Sequence, residues 1–337
     1  MFFINSFMNN SEWICIVNKY KENPIHFDRI KACYDIIVKL YKSLKFKRTS
    51  IISNSLILYH KYYIYNLFTN SQLFNKFNDI KDFSCISIVC FFISMKTSNY
   101  LMKIDSILDI CYKNNIFEEN KEDEKIRIKN MVLNYESDIL FSLNFNVEHE
   151  LPYNYIKNIW GDASTKILEF IKNDNVNNIN NNILNSGDDT NKLKLIKEKI
   201  ADFLNYSFLF PFFLYYSSNT IALSCLNIAL KHFKIKLNII DIISNHKEME
   251  SISMDDIEVC SSLIDEMILS KIKNVNNEVQ MGNINNINIK NIISINHNSE
   301  SNDETKKMNN INININLRIN GNENPNKNEM IFSKKEK

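Results

Sequence analysis

The chain has 337 residues, of which 45% are hydrophobic and 23% charged, so it can bury a sizeable core and is not wholly disordered. It contains only four glycines, and they form no fingerprint, which excludes a P-loop, a dinucleotide-binding turn and a nucleophile elbow. Four prolines add few turn signals, so an all-β fold is excluded and a mostly helical protein is expected.

Charge and cysteine usage narrow the function classes further. Forty basic and 39 acidic residues give a net charge of +1, so no global field draws the chain to nucleic acid or a membrane. The seven cysteines form no CxxC motif and the six histidines show no ligand spacing, so we expect no metal, no cofactor and no catalytic residue. The start, MFFINSFMNN, lacks a basic segment, and we expect no signal peptide.

One uncharged segment, residues 203–230, is long enough to span a membrane. Pro211 and the polar residues 217–220 divide it into two shorter apolar pieces. Two buried helices are therefore the expectation, with no membrane partner.

The apolar spacing predicts two successive series of helices. The first series covers 27–45, 49–68, 83–96, 104–114 and 124–143, and its third member is apolar on nearly every face. The second series covers 153–171, 192–209, 219–233, 238–245 and a helix that opens at a capping box formed by Ser253 and Asp256. Gly161 is expected to break or fray the helix over 153–171.

Asparagine-rich, low-complexity stretches set the predicted domain limits. An N-terminal extension covers 1–25, the first domain 26–151 and the second domain 152–273. The second domain carries a low-complexity insertion at 172–191, and a disordered Asn-rich tail covers 274–337. The predicted class is all-α, with two tandem five-helix domains.

Two ionisable residues interrupt apolar helix faces. Lys96 ends the apolar third helix, and Glu136 lies between Val132 and Ile139 on the stripe of the fifth helix. Charges on such faces need a partner. The residues alone leave two explanations for these charges equally good. Lys96 and Glu136 can pair with each other or cap local backbone, or they can contact another protein.

Several segments together resemble the cyclin family, in particular its transcriptional K, T and L types, over residues 26–271. They are Arg29 ahead of Ile36-Ile37, TSIISNSLILYHKYY (49–63), CFFISMK (90–96), YESDILFSLNF (135–145), NVEHELPYNYI (146–156) and IALSCLNIALKHF (221–233). The resemblance implies two tandem cyclin boxes and a regulatory subunit, not an enzyme. Such a subunit binds and activates a cyclin-dependent serine/threonine kinase in RNA polymerase II transcription or in cell-cycle control.

The resemblance also implies kinase-binding residues and a location. Cyclins use the Lys and Glu at these positions to hold the regulatory helix of the kinase, with apolar neighbours supplying affinity. The predicted kinase-binding set is Lys96, Glu136, Phe92, Ile93, Val132 and Ile139. The chain is expected in the nucleus, with the cytoplasm as a second location, and without direct nucleic-acid binding.

Departures from the family pattern keep alternatives open. The chain has Thr97-Ser98-Asn99 where the family has an acidic pair after the Lys, which suits a divergent kinase or an inactive cyclin-like scaffold. A cyclin-fold transcription factor of the TFIIB kind is a third alternative, although it normally carries a zinc ribbon, and this chain has no CxxC. A basic run, Lys42, Lys45, Lys47 and Arg48, is interpreted as a solvated helix end, with an acidic partner or RNA as the alternative.

Overall fold

Long apolar-striped segments separated by short polar joints form helices in the computed structural model. The structure describes residues 10–22, 24–46, 48–69, 79–117, 122–177, 189–246 and 252–280. Regular structure within these ranges consists of eleven α-helices and one 3-10 turn, with no strand. The predicted all-α class is confirmed.

The first series of helices is built around its most apolar member. An N-terminal helix, α1 Asn10–Glu22, comes first. The five helices of the series follow it: α2 Pro24–Ser43, α3 Ser50–Thr69, α4 Ile80–Thr97, α5 Ile104–Lys113 and α6 Glu122–Ser142. Every residue of α4 from Phe83 to Met95 is buried, and α4 packs against α2, α3 and α6. A helix without a polar face has to be surrounded, as the sequence predicted.

The second series repeats this plan. Its helices are α7 Pro152–Asn177, α8 Asp189–Ser207, α9 Ser218–His232, α10 Ile239–Ile243 and α11 Met254–Gln280. The apolar helix α9 packs against α7, α8 and α11, and α10 packs against α7. Each series therefore surrounds one apolar helix with amphipathic neighbours.

Several helices extend beyond their predicted limits, and one predicted helix break is absent. Helix α7 continues through Gly161, where the sequence predicted a break, and the flanking Ile159 and Ala163 are fully buried. Burial of such neighbours offsets the roughly 1 kcal/mol that a helical glycine costs. Part of the predicted extension 1–25 is helix α1. Helices α7, α8 and α11 also take up residues 172–177, 189–191 and 274–280, and the rest of the predicted insertion and tail lies outside the described residues.

The uncharged segment 203–230 is two helices joined by a turn. Helix α8 ends at Ser207, Pro211 precedes the 3-10 turn Phe212–Leu214, and α9 begins at Ser218. Across the described part of the chain, no helix combines the length and the apolarity that crossing a bilayer requires.

The two series contact each other through α3 and the segment after α8. The buried His60 donates a hydrogen bond from Nε2 to the carbonyl of Phe208, 3.0 Å away. The hydroxyl of Ser53 on α3 lies 3.4 Å from that of Tyr153 on α7. The described helices belong to one compact unit, Met1–Gln280, and their division into domains at 151/152 stays a prediction.

Candidate functional site

The two charges that interrupt apolar helix faces meet in the structure. Nζ of Lys96 on α4 lies 2.5 Å from Oε1 of Glu136 on α6. The Lys96 side chain is 43% exposed and that of Glu136 is 15% exposed. The internal Lys–Glu pair that the sequence allowed is therefore present, and it stands at the surface where another protein can reach it.

An aromatic ring also holds the ammonium group of Lys96. Nζ lies 4.0 Å from the centroid of the Phe92 ring, one helical turn earlier on α4. A cation over a ring face is attracted by the ring quadrupole, typically by about 0.5 to 1 kcal/mol at exposed positions. The carboxylate and the ring together hold Lys96 in one place, which reduces the side-chain entropy that a partner would have to restrict.

The structure buries the four apolar residues of the predicted kinase-binding set. The four side chains are 0 to 5% exposed and belong to the core between α4 and α6; they are Phe92, Ile93, Val132 and Ile139. Their role is to pack α4 against α6 and so to fix the positions of Lys96 and Glu136.

Residues 97–99 end helix α4. The amide of Asn99 donates to the carbonyl of Lys96 (3.0 Å), and the amide of Tyr100 donates to that of Met95 (2.9 Å). Asn99 has φ 64°, a left-handed conformation that Asn tolerates. These bonds form a Schellman cap, which ends the helix at Thr97, one residue after Lys96.

Helix α6, which carries Glu136, and the segment just beyond it also bear exposed apolar side chains. Leu133 is 41% exposed, Phe141 69% and Phe145 60%. The rings of Phe141 and Phe145 stand 5.4 Å apart at an interplanar angle of 80°, an edge-to-face pair. Sequence reasoning missed Leu133 and Phe141 because it followed the buried stripe of α6, although their positions between stripe residues carried the signal.

Backbone strain accompanies this aromatic pair. The amide of Phe145 donates to the carbonyl of Leu140 (2.8 Å), which caps α6. Asn144 and Phe145 both have positive φ values, 48° and 58°. A bulky residue in the left-handed region costs on the order of 1 kcal/mol or more, and such strain concentrates at functional positions. The exposed ring of Phe145 is therefore held in place at a cost in stability.

Further polar contacts fix α6 against α4. Nζ of Lys81 lies 2.7 Å from Oε1 of Glu124, and Arg127 lies 3.0 Å from Oε2 of the same carboxylate. These two cations lower the pKa of Glu124 to about 2. The hydroxyl of Tyr135 donates to Oδ1 of Asp82 at 2.7 Å. Because the contacts lie at several points along the helix pair, they define its register.

The cysteines belong mainly to the core. Six of the seven are buried, and Cys15 is exposed. Burial raises the pKa of Cys33 and of Cys260 to about 12, so both thiols stay protonated at neutral pH. Within the described ranges, no three His, Cys, Asp or Glu side chains are grouped so that they could hold a metal.

Comparison with known proteins gives structural likenesses only. No protein-family model matches the chain, and no curated protein matches its sequence. A chain of the yeast TFIIK (Kin28/Ccl1/Tfb3) complex is 15% identical with a TM-score of 0.49, over 77% of this chain and 95% of its own. A chain of the Chaetomium thermophilum CAK complex bound to ATP-gamma-S is 13% identical with a TM-score of 0.45, over 72% and 64%.

Proposed function

We propose that this chain is a cyclin, a regulatory subunit that binds and activates a cyclin-dependent serine/threonine kinase. The observation that carries the proposal is the surface ion pair between Lys96 and Glu136. It joins the two positions at which the cyclin resemblance implies kinase contacts, although the residues lie 40 positions apart in the sequence. The exposed pair Phe141 and Phe145 on and just after α6 adds the apolar surface that a protein interface needs.

The proposed mechanism needs no reaction on this chain. A protein kinase is active when a Glu of its regulatory helix pairs with the Lys of strand β3. In the proposed complex, Lys96 and Glu136 bind polar groups of that helix and set its register, while Phe141 and Phe145 bury its apolar side chains. Binding then favours the active position of a two-state element. ATP and its metal ions are held by the kinase, so no cofactor is assigned to this chain.

We further propose the transcriptional type, with nuclear location and RNA polymerase II transcription as the process. The support is the K, T and L type resemblance of the segments that include CFFISMK and NVEHELPYNYI. A fluorescent fusion to the full chain tests the location, and the expected result is a nuclear signal. Exclusion from the nucleus would contradict the proposed process and leave kinase binding untouched.

A charge reversal tests the interface. Glu136→Lys should abolish co-purification of the kinase, because it places a second cation beside Lys96 and removes the acceptor. Glu198→Lys is the matched control, since it reverses an exposed Glu on α8 in the other helix series. Circular dichroism should show unchanged helicity in both variants. Normal kinase recovery with Glu136→Lys would reject this interface.

A double charge swap separates kinase contact from internal support. Lys96→Glu combined with Glu136→Lys restores an ion pair within the chain with the opposite polarity. If the pair only stabilises the fold, the swap rescues kinase binding. If the two charges contact the kinase, the swap restores thermal stability and leaves binding lost, which is the expected result.

Kinase activity separates an activator from an inactive scaffold. The scaffold alternative is favoured by the cap Thr97-Ser98-Asn99, which replaces the family's acidic pair. The co-purified complex should phosphorylate a generic substrate faster than the kinase alone. A stable complex with no increase in rate would make the chain a scaffold.

A further inference from the structure

One end of the first helix series lies in a part of the sequence without acidic residues. Between Asp35 and Asp79 the chain has no Asp or Glu, and none occurs between Asp82 and Asp105. The C-terminal ends of α2 and α4 fall within these two stretches, at Ser43 and Thr97. The basic residues near these two helix ends therefore have no acidic residue close to them in the sequence.

Folding brings the segments after α2 and α4 together. The ring of Phe46 lies 4.6 Å from that of Tyr100, and Cζ of Arg48 lies 6.0 Å from the Tyr100 centroid. Both segments also carry exposed cations, and we call these four residues the basic end: Lys42, Lys45, Arg48 and Lys103. No carboxylate of the described residues forms an ion pair with any of these side chains. The acidic side chains nearest in sequence are Asp105, which pairs with Lys129 at 2.6 Å, and Asp109.

Helix dipoles do not account for all of this charge. Each helix C-terminus carries about half a unit of negative charge, so the ends of α2 and α4 together offset about one of the four cations. Roughly three positive charges remain on these two adjoining segments. A surface of this kind attracts an anionic partner, and the attraction weakens as salt increases.

The apolar residues of the basic end favour a peptide over RNA. Leu101 is 89% exposed among the cations, so it can receive an apolar side chain. Base recognition uses free aromatic faces for stacking, whereas the Tyr100 ring is already packed against Phe46 and Arg48. We propose that the basic end binds a peptide segment of a partner in which carboxylate or phosphoryl groups flank an apolar residue. The site does not include Lys96 or Glu136 and does not depend on the proposed kinase contact.

Binding of labelled peptides to the full chain tests the proposal. The probes are a fluorescent peptide with glutamates around one leucine, its phosphoserine version and a neutral glutamine version. The test variant is Lys45→Asn with Arg48→Gln, because Asn tolerates the left-handed φ of 53° at position 45. The matched control is Lys194→Gln with Lys197→Gln, which removes the same charge from exposed positions on α8.

The expected result is binding of both anionic peptides and no binding of the neutral one. The basic-end variant should weaken binding by about tenfold and the α8 control by less than about twofold. Leu101→Ser should weaken it several-fold at unchanged charge, and kinase co-purification should persist with Lys45→Asn and Arg48→Gln. Equal losses in test and control variants, or equal binding of the neutral peptide, would overturn the proposal. Tighter binding of a single-stranded RNA that the test variant abolishes would make this a nucleic-acid surface instead.

Discussion

Nζ of Lys61 on α3 lies 3.4 Å from Nδ1 of His149 in the segment between α6 and α7. Lys61 is only 9% exposed, and the ion pairs of the described residues include no carboxylate partner for it. Burial lowers the pKa of Lys61 to about 8. Burial, and then the charge of Lys61, lower the pKa of His149 to about 3, so the imidazole is neutral and accepts the hydrogen bond. A buried ammonium group held by a neutral acceptor is a cost to the fold at neutral pH.

Removing this ammonium group should stabilise the protein. We expect Lys61→Met to raise the free energy of unfolding at pH 7 by about 1 to 3 kcal/mol. The unfolded Lys titrates near 10.5 and the folded one near 8, so the penalty is complete below pH 8 and disappears as the pH approaches 10.5. The increase in the free energy of unfolding caused by Lys61→Met should therefore be smaller at pH 9.5 than at pH 7, as measured by urea titration. Lys157→Met, on an exposed lysine of α7, should show no such pH-dependent difference.

His149 should make the fold sensitive to acid. Its pKa is about 3 in the folded chain and 6.5 in the unfolded chain, so the unfolded state binds a proton first as the pH falls. Stability from this group is complete above pH 6.5 and is lost progressively down to about pH 3. His149→Gln should reduce the loss of stability between pH 6.5 and 4 by about 1 to 3 kcal/mol. Parallel stability curves for the two proteins over this range would contradict the assignment.

The left-handed backbone at Phe145 should lower the stability of the fold, whereas its exposed ring should strengthen kinase binding. Asn tolerates a φ of 58°, so Phe145→Asn should raise the free energy of unfolding by up to about 1 kcal/mol. The same change removes an exposed ring from the proposed kinase surface and should weaken kinase binding by more than about tenfold. Phe141→Ser should weaken binding similarly with little change in stability, because its side chain is 69% exposed. Unaltered affinity in both variants would remove the aromatic pair from the interface.

Trp13 should anchor helix α1 to the second helix series. Its ring stacks on Tyr215 at 5.3 Å and 9°, and it meets the edge of Tyr216 at 5.9 Å and 83°. Trp13 is 6% exposed, so Trp13→Ala should lower the free energy of unfolding by about 3 kcal/mol. Denaturation followed by circular dichroism measures the loss. Trp160→Ala, at a partly exposed ring on α7, should cost clearly less.

The sequence alone determined the ten helices from α2 to α11 and their order. Heptad-like spacing places Ile128, Val132, Tyr135 and Ile139 on one face of α6, and the structure buries all of them. Pro211 predicted the turn between α8 and α9, because proline cannot continue a helix. These features are local, since a helix repeats every 3.6 residues and its breakers act on neighbouring backbone.

Tertiary structure decided which side chains a partner can reach. The sequence could name Lys96 and Glu136 as unusual but could not choose between an internal pair and an external contact, and the fold places them 2.5 Å apart at the surface. The fold also buries Phe92 and Ile93 in the core and leaves Phe141 exposed. Pairing across helices and exposure depend on how helices from distant parts of the chain cross, and the spacing within each helix does not contain that information.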